Sequence, residues 1–416
     1  MALRISIHTL GTRGDVQPYL ALALGLVRQG HDVQLAGPAQ FASFVCEKGI
    51  SFVPLPGEFL ALLDTPEGKE AVAGGQGFSA GFKLLKHVRP LMRRLLDAEW
   101  AAAQAFRPDL LVHHPKSIAA PHIAQRMGIK AMLASPLPGF TPTAAFPSPL
   151  LSLPSLGPLN KLSHQLAIRG ADVLFGKLIR EWREGSLGLA RGRGIAPAAT
   201  VYAYSRHVLP VPSDWNERVL VSGYWFLDED DRWNMPDSLA AFLAAGDKPI
   251  YIGFGSMPGI DPEILARKVM DGLAVAGKRG LMATGGGAID VKTVPGHVHL
   301  ISAAPHDQLF RHVGAAMHHG GAGTTGASLR AGLPTIICPF FGDQPFWARR
   351  VAQLGVGLQA PGPKALSAKI LAAAFEATDS PGMRGKANEL GHLIRQEDGV
   401  AEAVNFIELH ARSSKP

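Results

Sequence analysis

Cysteine is nearly absent from this sequence, because the 416 residues include only Cys46 and Cys338. Two thiols so far apart do not form the disulfide framework of a small secreted domain, and they fit a reducing compartment. We therefore expect a cytoplasmic protein in which each cysteine is a small buried side chain of its own domain. Charged residues make up only 18% of the chain and apolar residues 47%, which excludes a disordered protein.

Charge is missing altogether between Ala131 and Asn160. A chargeless segment of this length could cross a bilayer as a helix. Proline prevents a continuous helix here, since the segment contains Pro136, Pro138, Pro142, Pro147, Pro149, Pro154 and Pro158. The sequence therefore predicts an apolar, irregular loop. The N-terminus runs directly into a predicted strand and shows no signal-peptide pattern.

Dense clusters of Lys and Arg interleaved with aromatic residues are also lacking, although the net charge is +7. The positive charge favours anionic partners such as a nucleotide or an acidic lipid surface. Nucleic acid is the least favoured of these partners because the basic clusters are absent. Peripheral contact with a membrane fits the charge, and the sequence gives no indication of the oligomeric state.

Glycine is concentrated where a ligand would need it. Residues 318–325, HHGGAGTT, follow an apolar run and precede a helical pattern, an order that predicts a strand, a tight turn and a helix. Glycines let the backbone turn sharply and approach a ligand closely, and the N–H groups at a helix start attract anions. His319 and Thr324 add side-chain donors. The stretch predicts a phosphate site.

A second polar pair follows the next predicted strand. Residues 332–334, GLP, lead into that strand, which ends in FFGDQ at residues 340–344. The carboxylate of Asp343 and the amide of Gln344 lie side by side at the strand exit and suit the hydroxyl groups of a sugar. Phosphate on one loop and hydroxyls on the next together predict a nucleotide sugar.

Strand and helix patterns alternate along the whole chain and predict doubly wound parallel sheets. A burst of charge at residues 228–232 interrupts the alternation. We place a linker at residues 228–238, between an N-terminal domain of residues 1–227 and a C-terminal domain of residues 239–398.

HHGGAGTT, GLP and FFGDQ together resemble the donor-site signature of inverting nucleotide-sugar glycosyltransferases with the GT-B fold, and other motifs resemble their sterol glucosyltransferase and antibiotic glycosyltransferase branch. The resemblance implies an α/β protein with two Rossmann-like domains facing across a cleft. The N-terminal domain would bind the acceptor and the C-terminal domain the donor. In this fold the C-terminal helix commonly crosses back to the first domain, and residues 399–412 would do so.

The first glycine turn carries the catalytic candidate. Residues 14–18, GDVQP, fall where plant relatives have a catalytic histidine and where the sterol and antibiotic branches have aspartate. The resemblance implies that Asp15 takes the proton from the acceptor hydroxyl. The alternative is that Asp15 only caps a helix that starts near Val16.

Three histidines remain as other candidate bases, which are His8, His113 and His114. The second acid of plant relatives is absent after the strand that ends at residues 113–114. This absence fits an aspartate base, because an aspartate has no imidazole tautomer for a second acid to hold. Residues 113–116, HHPK, also resemble a sterol glucosyltransferase motif, as do parts of the chargeless loop. The resemblance implies acceptor-binding roles for His114, Lys116, Phe140 and Phe146; the alternative is that the loop is a buried connection.

On the donor side the resemblance assigns eight residues, which are Ser256, His306, His319, Gly321, Gly323, Thr324, Asp343 and Gln344. The tryptophan that stacks on uracil in plant relatives is absent, so UDP and dTDP both stay open. Residues 228–230, DED, have the letters of a metal-binding turn, but no strand precedes them and a solvated spacer is favoured. Helix-end N–H groups and neutral donors can meet the phosphate charge, so we expect neither a metal nor a cofactor.

The resemblance implies a metal-independent inverting enzyme that moves a hexose, glucose from UDP-glucose, to a hydroxyl of a lipophilic acceptor such as a sterol. An alternative in the same class uses a dTDP- or UDP-sugar on a macrolide, flavonoid or other polyketide. An alternative of another class is a non-catalytic module that binds a nucleotide sugar or lipid. A dinucleotide oxidoreductase is disfavoured because residues 11–15, GTRGD, lack Gly-x-Gly-x-x-Gly.

Overall fold

A computed structural model describes residues 2–57, 77–151, 153–228, 233–257, 260–291 and 293–412. The chain separates into two compact units. The first contains the residues up to Arg206, Pro210–Leu227 and the residues from Asp398 onward. The second contains His207–Leu209 and Asp228–Glu397.

The first unit is built on a seven-stranded parallel sheet in the order β3-β2-β1-β4-β5-β6-β7. Its strands are β1 (Arg4–His8), β2 (Asp32–Pro38), β3 (Ser51–Leu55), β4 (Leu110–His113), β5 (Lys130–Ser135), β6 (Ala199–Tyr202) and β7 (Val219–Val221). Its helices are α1 (Arg13–Arg28), α2 (Ala42–Cys46), α3 (Gly77–Phe106), α4 (Ala120–Met127), α5 (Asn160–Gly185) and, from the end of the chain, α13 (Gly399–Arg412).

The second unit is built on a six-stranded parallel sheet in the order β10-β9-β8-β11-β12-β13. Its strands are β8 (Ile250–Gly253), β9 (Gly280–Ala283), β10 (Val298–Ile301), β11 (Ala315–His318), β12 (Thr335–Ile337) and β13 (Gly357–Gln359). Its helices are α6 (Asp237–Ala244), α7 (Pro262–Val275), α8 (His306–Leu309), α9 (Ala322–Arg330), α10 (Gln344–Leu354), α11 (Ala368–Ala377) and α12 (Pro381–Arg395).

The central strands are covered on both faces, which explains their continuous apolar sequences. Ile5, Ile7 and Val112 of β1 and β4 are completely buried. In both sheets the strand order reverses between the two central strands, β1 and β4 in one unit and β8 and β11 in the other. A crevice for ligands lies outside the carboxyl ends of the strands at such a reversal.

Helix α13 packs along α1 in the first unit. A Cβ atom at Gly25 of α1 would lie 2.5 Å from a methyl carbon of Val400, so only glycine allows this approach. His31 Nε2 lies 2.8 Å from Glu408 Oε1, and Lys130 Nζ donates to the His410 carbonyl oxygen at 2.7 Å. The helix is therefore joined to the first unit by packing and by polar contacts.

Several expectations from the sequence are wrong in detail. The chargeless segment begins as the buried strand β5, because a strand covered on both faces needs no polar residue. The apolar runs at residues 208–210 and 219–221 predict the last strands of the first unit. The second run forms β7, whereas residues 208–210 form no strand and the preceding strand is β6. Cys46 is exposed, although Cys338 is buried as expected. The many glycines and small residues at positions 57–81 predict a loop. Residues 58–76 lie outside the described residues, and Gly77 already begins α3.

None of the described helices combines the length and the apolar character that a bilayer crossing requires.

Candidate active site

Polar groups collect at the carboxyl ends of the central strands in each unit. His8 of β1 pairs with His113 of β4, and Gly253 of β8 pairs with His318 of β11. The turns after these strands carry Asp15 and residues 114–117 in the first unit, and Ser256 and residues 319–324 in the second. Each group of predicted site residues is thus brought together by strand pairing within its own unit.

The position of Asp15 depends on the two residues that shape its turn. Gly11 has a φ of 137°, and a Cβ atom there would lie 2.0 Å from Asp15 Oδ2, so only glycine fits. Thr12 is the N-cap of α1, and Asp15 Oδ2 accepts its backbone N–H at 2.8 Å, which completes a capping box. The helix therefore begins at Arg13 and not near Val16, and Asp15 caps it from its third position.

The Asp15 carboxylate is also tied to the exit of β4. Its Oδ1 lies 2.9 Å from Lys116 Nζ and 3.3 Å from His114 Nε2. Burial raises the pKa of Asp15, but Lys116 and His114 together outweigh burial and hold the pKa well below its ordinary value. The carboxylate is ionised and its oxygens are engaged, so it is a weak base until a partner is displaced.

His114 is held in one tautomer. Its Nδ1 accepts the Lys116 backbone N–H at 3.0 Å, so the neutral ring carries its proton on Nε2 and donates it to Asp15. Burial lowers the pKa of His114, against the hydrogen bond to Asp15, which raises it. A ring in this state cannot serve as a base. His113 is buried as well, and its Nδ1 contacts the His114 carbonyl oxygen at 3.2 Å.

A buried acid supports this arrangement from behind. Glu99 of α3 is completely buried, and its Oε2 accepts a hydrogen bond from Ser117 Oγ. The same oxygen lies 2.9 Å from Nδ1 of His8, which is also completely buried. Because Ser117 follows Lys116 directly, Glu99 fixes the loop that carries the partners of Asp15. His8 is part of this support and is not exposed to an acceptor.

The predicted acceptor loop is folded and held at several points. Asp214 accepts a hydrogen bond from Thr143 Oγ1 at 2.7 Å, and this bond is the main reason why the pKa of Asp214 falls to about 2. Phe146 is buried, with its ring edge-on to Trp215 at 6.4 Å between centroids. Phe140 is only half-buried. Phe146 therefore packs inside the loop, whereas Phe140 has accessible surface that an acceptor can contact.

The two histidines of the second unit's turn have different surroundings. His318 is buried; its Nδ1 accepts the Gly320 N–H at 3.0 Å, and its Nε2 lies 3.3 Å from Ser328 Oγ. His319 is half-buried as a residue, and its Nδ1 atom is fully buried. Burial lowers the pKa of His319 to about 4, against a hydrogen bond to the Gly253 backbone that raises it. His318 shapes the turn, and burial keeps His319 neutral beside the start of α9.

The start of α9 has the features of an anion site. Gly321 is the N-cap and offers no side-chain cap, so the N–H groups of the first helical turn have no intrahelical partner. A Cβ atom at Gly321 would lie 2.7 Å from His319 Nε2, whereas one at Gly323 would point into open space. Gly321 is needed for packing, and Gly323 leaves room beside the half-buried Thr324.

The other predicted donor residues lie on neighbouring strand exits. Ser256 is exposed after β8, and a Cβ atom at the adjacent Gly255 would lie 3.6 Å from the His319 ring, so both turns share one corner. His306 opens α8 and is half-buried, with its ring stacked on Phe310 at 4.6 Å. This stacking holds the imidazole in place at the exit of β10.

The predicted sugar-binding pair is partly used by the protein itself. Gln344 is buried, and its Oε1 accepts two backbone N–H groups of the FFGDQ turn at 2.7 and 3.2 Å. Asp343 Oδ2 accepts the Trp347 indole N–H at 2.9 Å. Gln344 Nε2 faces Met257 Sδ at 3.2 Å, a weak acceptor, and so keeps donor capacity. The pair forms the N-terminal turn of α10 and is not a solvated loop tip.

No group of three or more His, Cys, Asp or Glu side chains forms a metal site within the residues described. Asp228 of the acidic spacer instead binds Arg330, with 3.1 Å between Oδ2 and Nη1. Glu229 and Asp230 lie outside the described residues. The groups gathered around His319 are N–H and O–H donors, which suit an anionic ligand directly.

Three supporting residues were missed by the sequence analysis. Thr12 and Asp15 have the spacing of a capping box, which was a readable signal. Glu99 lies three and four residues after Leu96 and Leu95, so helical spacing places it on their apolar face. A lone acid on such a face indicates a buried ion pair. Gly11 gave no signal beyond being a turn glycine, since its clash depends on the position of a folded side chain.

Comparisons with known proteins point to one family. Residues 5–146 match the glycosyltransferase family 28 N-terminal domain, and residues 280–406 match the erythromycin biosynthesis protein CIII-like C-terminal domain. A sterol 3-beta-glucosyltransferase of Aspergillus fumigatus is 38% identical, over 98% of this chain and 30% of that protein. A sterol 3-beta-glucosyltransferase of Arabidopsis thaliana is 35% identical, over 100% of this chain and 69% of that protein.

The chain thus spans about 30% of the length of its fungal relative and more than two thirds of its plant relative. Among solved structures, the calicheamicin glycosyltransferase CalG4 superposes with a TM-score of 0.73 over 100% of both chains at 20% identity, which confirms the GT-B fold. The matches cover both units, and the plant relative matches the chain from end to end. The chain belongs to the glycosyltransferase family that contains the sterol 3-beta-glucosyltransferases.

Proposed function

We propose that this protein transfers glucose from UDP-glucose to a hydroxyl group of a sterol or a similar lipophilic acceptor, with inversion and without a metal ion. The proposal depends mainly on the different chemistry at the carboxyl ends of the central strands in the two units. An ionised acid follows β1 in the first unit, and an uncharged, glycine-rich anion site follows β11 in the second. Sterol glucosyltransferases of a plant and a fungus support the choice of acceptor.

The reaction is a single displacement. The acceptor hydroxyl gives its proton to the Asp15 carboxylate, and its oxygen attacks the anomeric carbon of glucose. The bond from that carbon to the phosphate oxygen breaks, and UDP leaves with the electron pair. The N–H groups at the start of α9, with His319, Ser256 and Thr324, meet the charge on the departing diphosphate. Asp343 and Gln344 contact the sugar hydroxyls.

Lys116 has a part in this reaction that the sequence did not predict. It is the exposed partner of Asp15, with 54% of its side chain accessible. An acceptor hydroxyl that takes its place on Oδ1 removes the strongest reason for the low pKa of the acid. An apolar acceptor also removes water, which raises the pKa further. We propose that Asp15 becomes an effective base only when the acceptor is bound.

A natural-product transferase is the second candidate. It would use a dTDP- or UDP-sugar on a macrolide, a flavonoid or another polyketide, and the likeness to CalG4 is consistent with it. A non-catalytic module that binds a nucleotide sugar or a lipid is the third. Capping of α1 needs only the contact of Asp15 with Thr12, so its additional contacts with Lys116 and His114 argue for catalysis.

The test is mass spectrometry of products from UDP-glucose and dTDP-glucose, each with ergosterol, sitosterol, a flavonoid and a macrolide. A steryl glucoside formed from UDP-glucose is the expected result, and a product only with the flavonoid or macrolide would transfer the assignment to the second candidate. Asp15→Asn should abolish transfer, a loss of at least about 100-fold, while calorimetric binding of UDP stays unchanged. Full activity of that variant would remove Asp15 from the mechanism.

A further inference from the structure

Exposed apolar side chains are concentrated in one short part of the first unit. Of the fourteen large hydrophobic side chains that are exposed in the described residues, seven lie between residues 150 and 173. We call these seven the leucine face, and they are Leu150, Leu151, Leu156, Leu159, Leu162, Leu166 and Val173. Single exposed leucines are ordinary on protein surfaces, but seven exposed apolar side chains in one short segment indicate a contact surface.

Helical spacing places much of the leucine face on one side of α5. Leu162, Leu166 and Val173 are 51%, 65% and 84% exposed, and their spacing of four and seven residues keeps them on one stripe of the helix. The opposite side of α5 is buried through Leu178 and Trp182. The helix is therefore anchored to the first unit by one side and presents the other side outward.

The same outward stripe carries positive charge. Arg169, Lys177 and Arg180 are exposed, and their positions fall on the stripe of Leu162 and Leu166 by helical spacing. Leucines flanked by basic residues are typical of helices that lie in the interface of a membrane with anionic lipids. The basic residues argue against a second copy of this chain as the occupant, because the net charge of +7 would make two such faces repel.

The leucine face is bonded to the predicted acceptor loop. Asn160 Nδ2 donates to the Ala144 carbonyl oxygen at 2.9 Å, and the Ser148 N–H donates to Ser163 Oγ at 2.7 Å. His164 Nε2 lies 3.0 Å from the Phe146 carbonyl oxygen. These bonds hold the buried side of α5 to the loop. Leu150, Leu151 and Leu156 of the leucine face belong to the loop segment itself, so a surface that binds the leucine face lies against the loop.

We propose that the leucine face is a docking surface for a bilayer that contains anionic lipid. The leucines enter the acyl-chain boundary, and the basic side chains contact the headgroups. This inference rests on the proposed function, in which the acceptor is a membrane lipid, since docking through this face brings the acceptor loop to the bilayer. A sterol could then reach the loop without crossing water.

The experiment measures co-sedimentation with vesicles of phosphatidylcholine, with and without phosphatidylserine. The full chain should bind the mixed vesicles and lose at least about tenfold of that affinity in the triple variant Leu162→Gln, Leu166→Gln, Val173→Gln. The matched control is Val275→Gln with Leu409→Gln, which removes side chains that are 66% and 67% exposed elsewhere and should bind like wild type. Replacing Arg169, Lys177 and Arg180 by Gln should remove the preference for phosphatidylserine.

Two further readouts separate the outcomes. Transfer to sterol in vesicles should fall in the triple variant, while transfer to sterol in cyclodextrin and the melting temperature stay unchanged. Vesicle binding that is equal in wild type and triple variant would overturn the docking surface, as would a wild-type dimer that the triple variant loses. Vesicle binding that depends on the leucines, without transfer to any sterol, would keep the docking surface and reject the proposed acceptor.

Discussion

The strand ends of the two units differ in what fills them. After β1 and β4 the Asp15 carboxylate is fully engaged by Lys116, His114 and Thr12. After β8 and β11 the backbone turns at Gly320, whose φ is 95°, and the helix α9 that follows starts without a side-chain cap. We call the site around Asp15 the complete corner, because its carboxylate oxygens already have protein partners and a substrate must displace one of them. We call the second corner incomplete, because the N–H groups at the start of α9 have no intrahelical partner and can bind an anionic ligand.

The largest effect should come from crowding the complete corner. In Gly11→Ala the new Cβ atom would lie 2.0 Å from Asp15 Oδ2, so the acid must move and kcat/KM should fall by about 100-fold or more. Gly14→Ala is the control, because its Cβ atom would meet nothing closer than Thr12 Oγ1 at 3.8 Å. Steady-state kinetics and melting temperatures of both variants give the measurement, and equal activities would contradict the importance of the turn.

In the incomplete corner, Gly323→Ala should weaken ligand binding without lowering the stability of the protein. The Cβ atom would point into open space at the helix start, where we place the diphosphate, so UDP should bind about tenfold more weakly. The melting temperature should hold or rise, because alanine favours a helix over glycine. Gly296→Ala, another exposed position with open space around it, is the control. Unchanged UDP affinity in calorimetry would move the diphosphate away from α9.

The incomplete corner should also show proton uptake on binding. Burial keeps the pKa of His319 at about 4 in the unliganded protein, and a bound diphosphate favours the imidazolium and raises that pKa. The complex then binds more protons than the free protein, so UDP affinity should increase as the pH falls from 7 towards 5. His319→Gln should lose this increase. UDP itself titrates equally in both measurements, so its contribution cancels when the affinities of wild type and His319→Gln are compared. If UDP affinity depends on pH in the same way in both proteins, the His319 ring is not in the site.

The smallest effect should come from removing the cation of the complete corner. Lys116 lowers the pKa of Asp15, so Lys116→Met should raise that pKa and move the acid limb of the kcat/KM profile to higher pH. Activity near pH 7 should change only a few-fold, because the carboxylate stays ionised there. Circular dichroism over the same pH range controls for unfolding. An acid limb that does not move would mean that Lys116 does not tune the acid.

The sequence predicted what depends on short, ordered patterns. Strand–turn–helix order at residues 315–325, the glycine turn before Asp15 and the two-unit α/β fold all follow from local periodicity, and the fold is confirmed. The partners of Asp15 could not be read in this way, because Lys116 lies 101 residues away and reaches the acid only through the pairing of β1 with β4. The buried oxygen of Gln344 was missed for a similar reason, since its burial follows from how the FFGDQ turn closes.

The contact of α13 with α1 also sets an order of events during synthesis on the ribosome. The first unit lacks the helix that packs against Gly25 until Val400 and Val404 have been translated, although most of that unit has emerged long before. The second unit lies almost wholly within Asp228–Glu397 and can complete its own sheet earlier. The first unit is therefore completed after the second, and until then the side of α1 that α13 later covers is exposed.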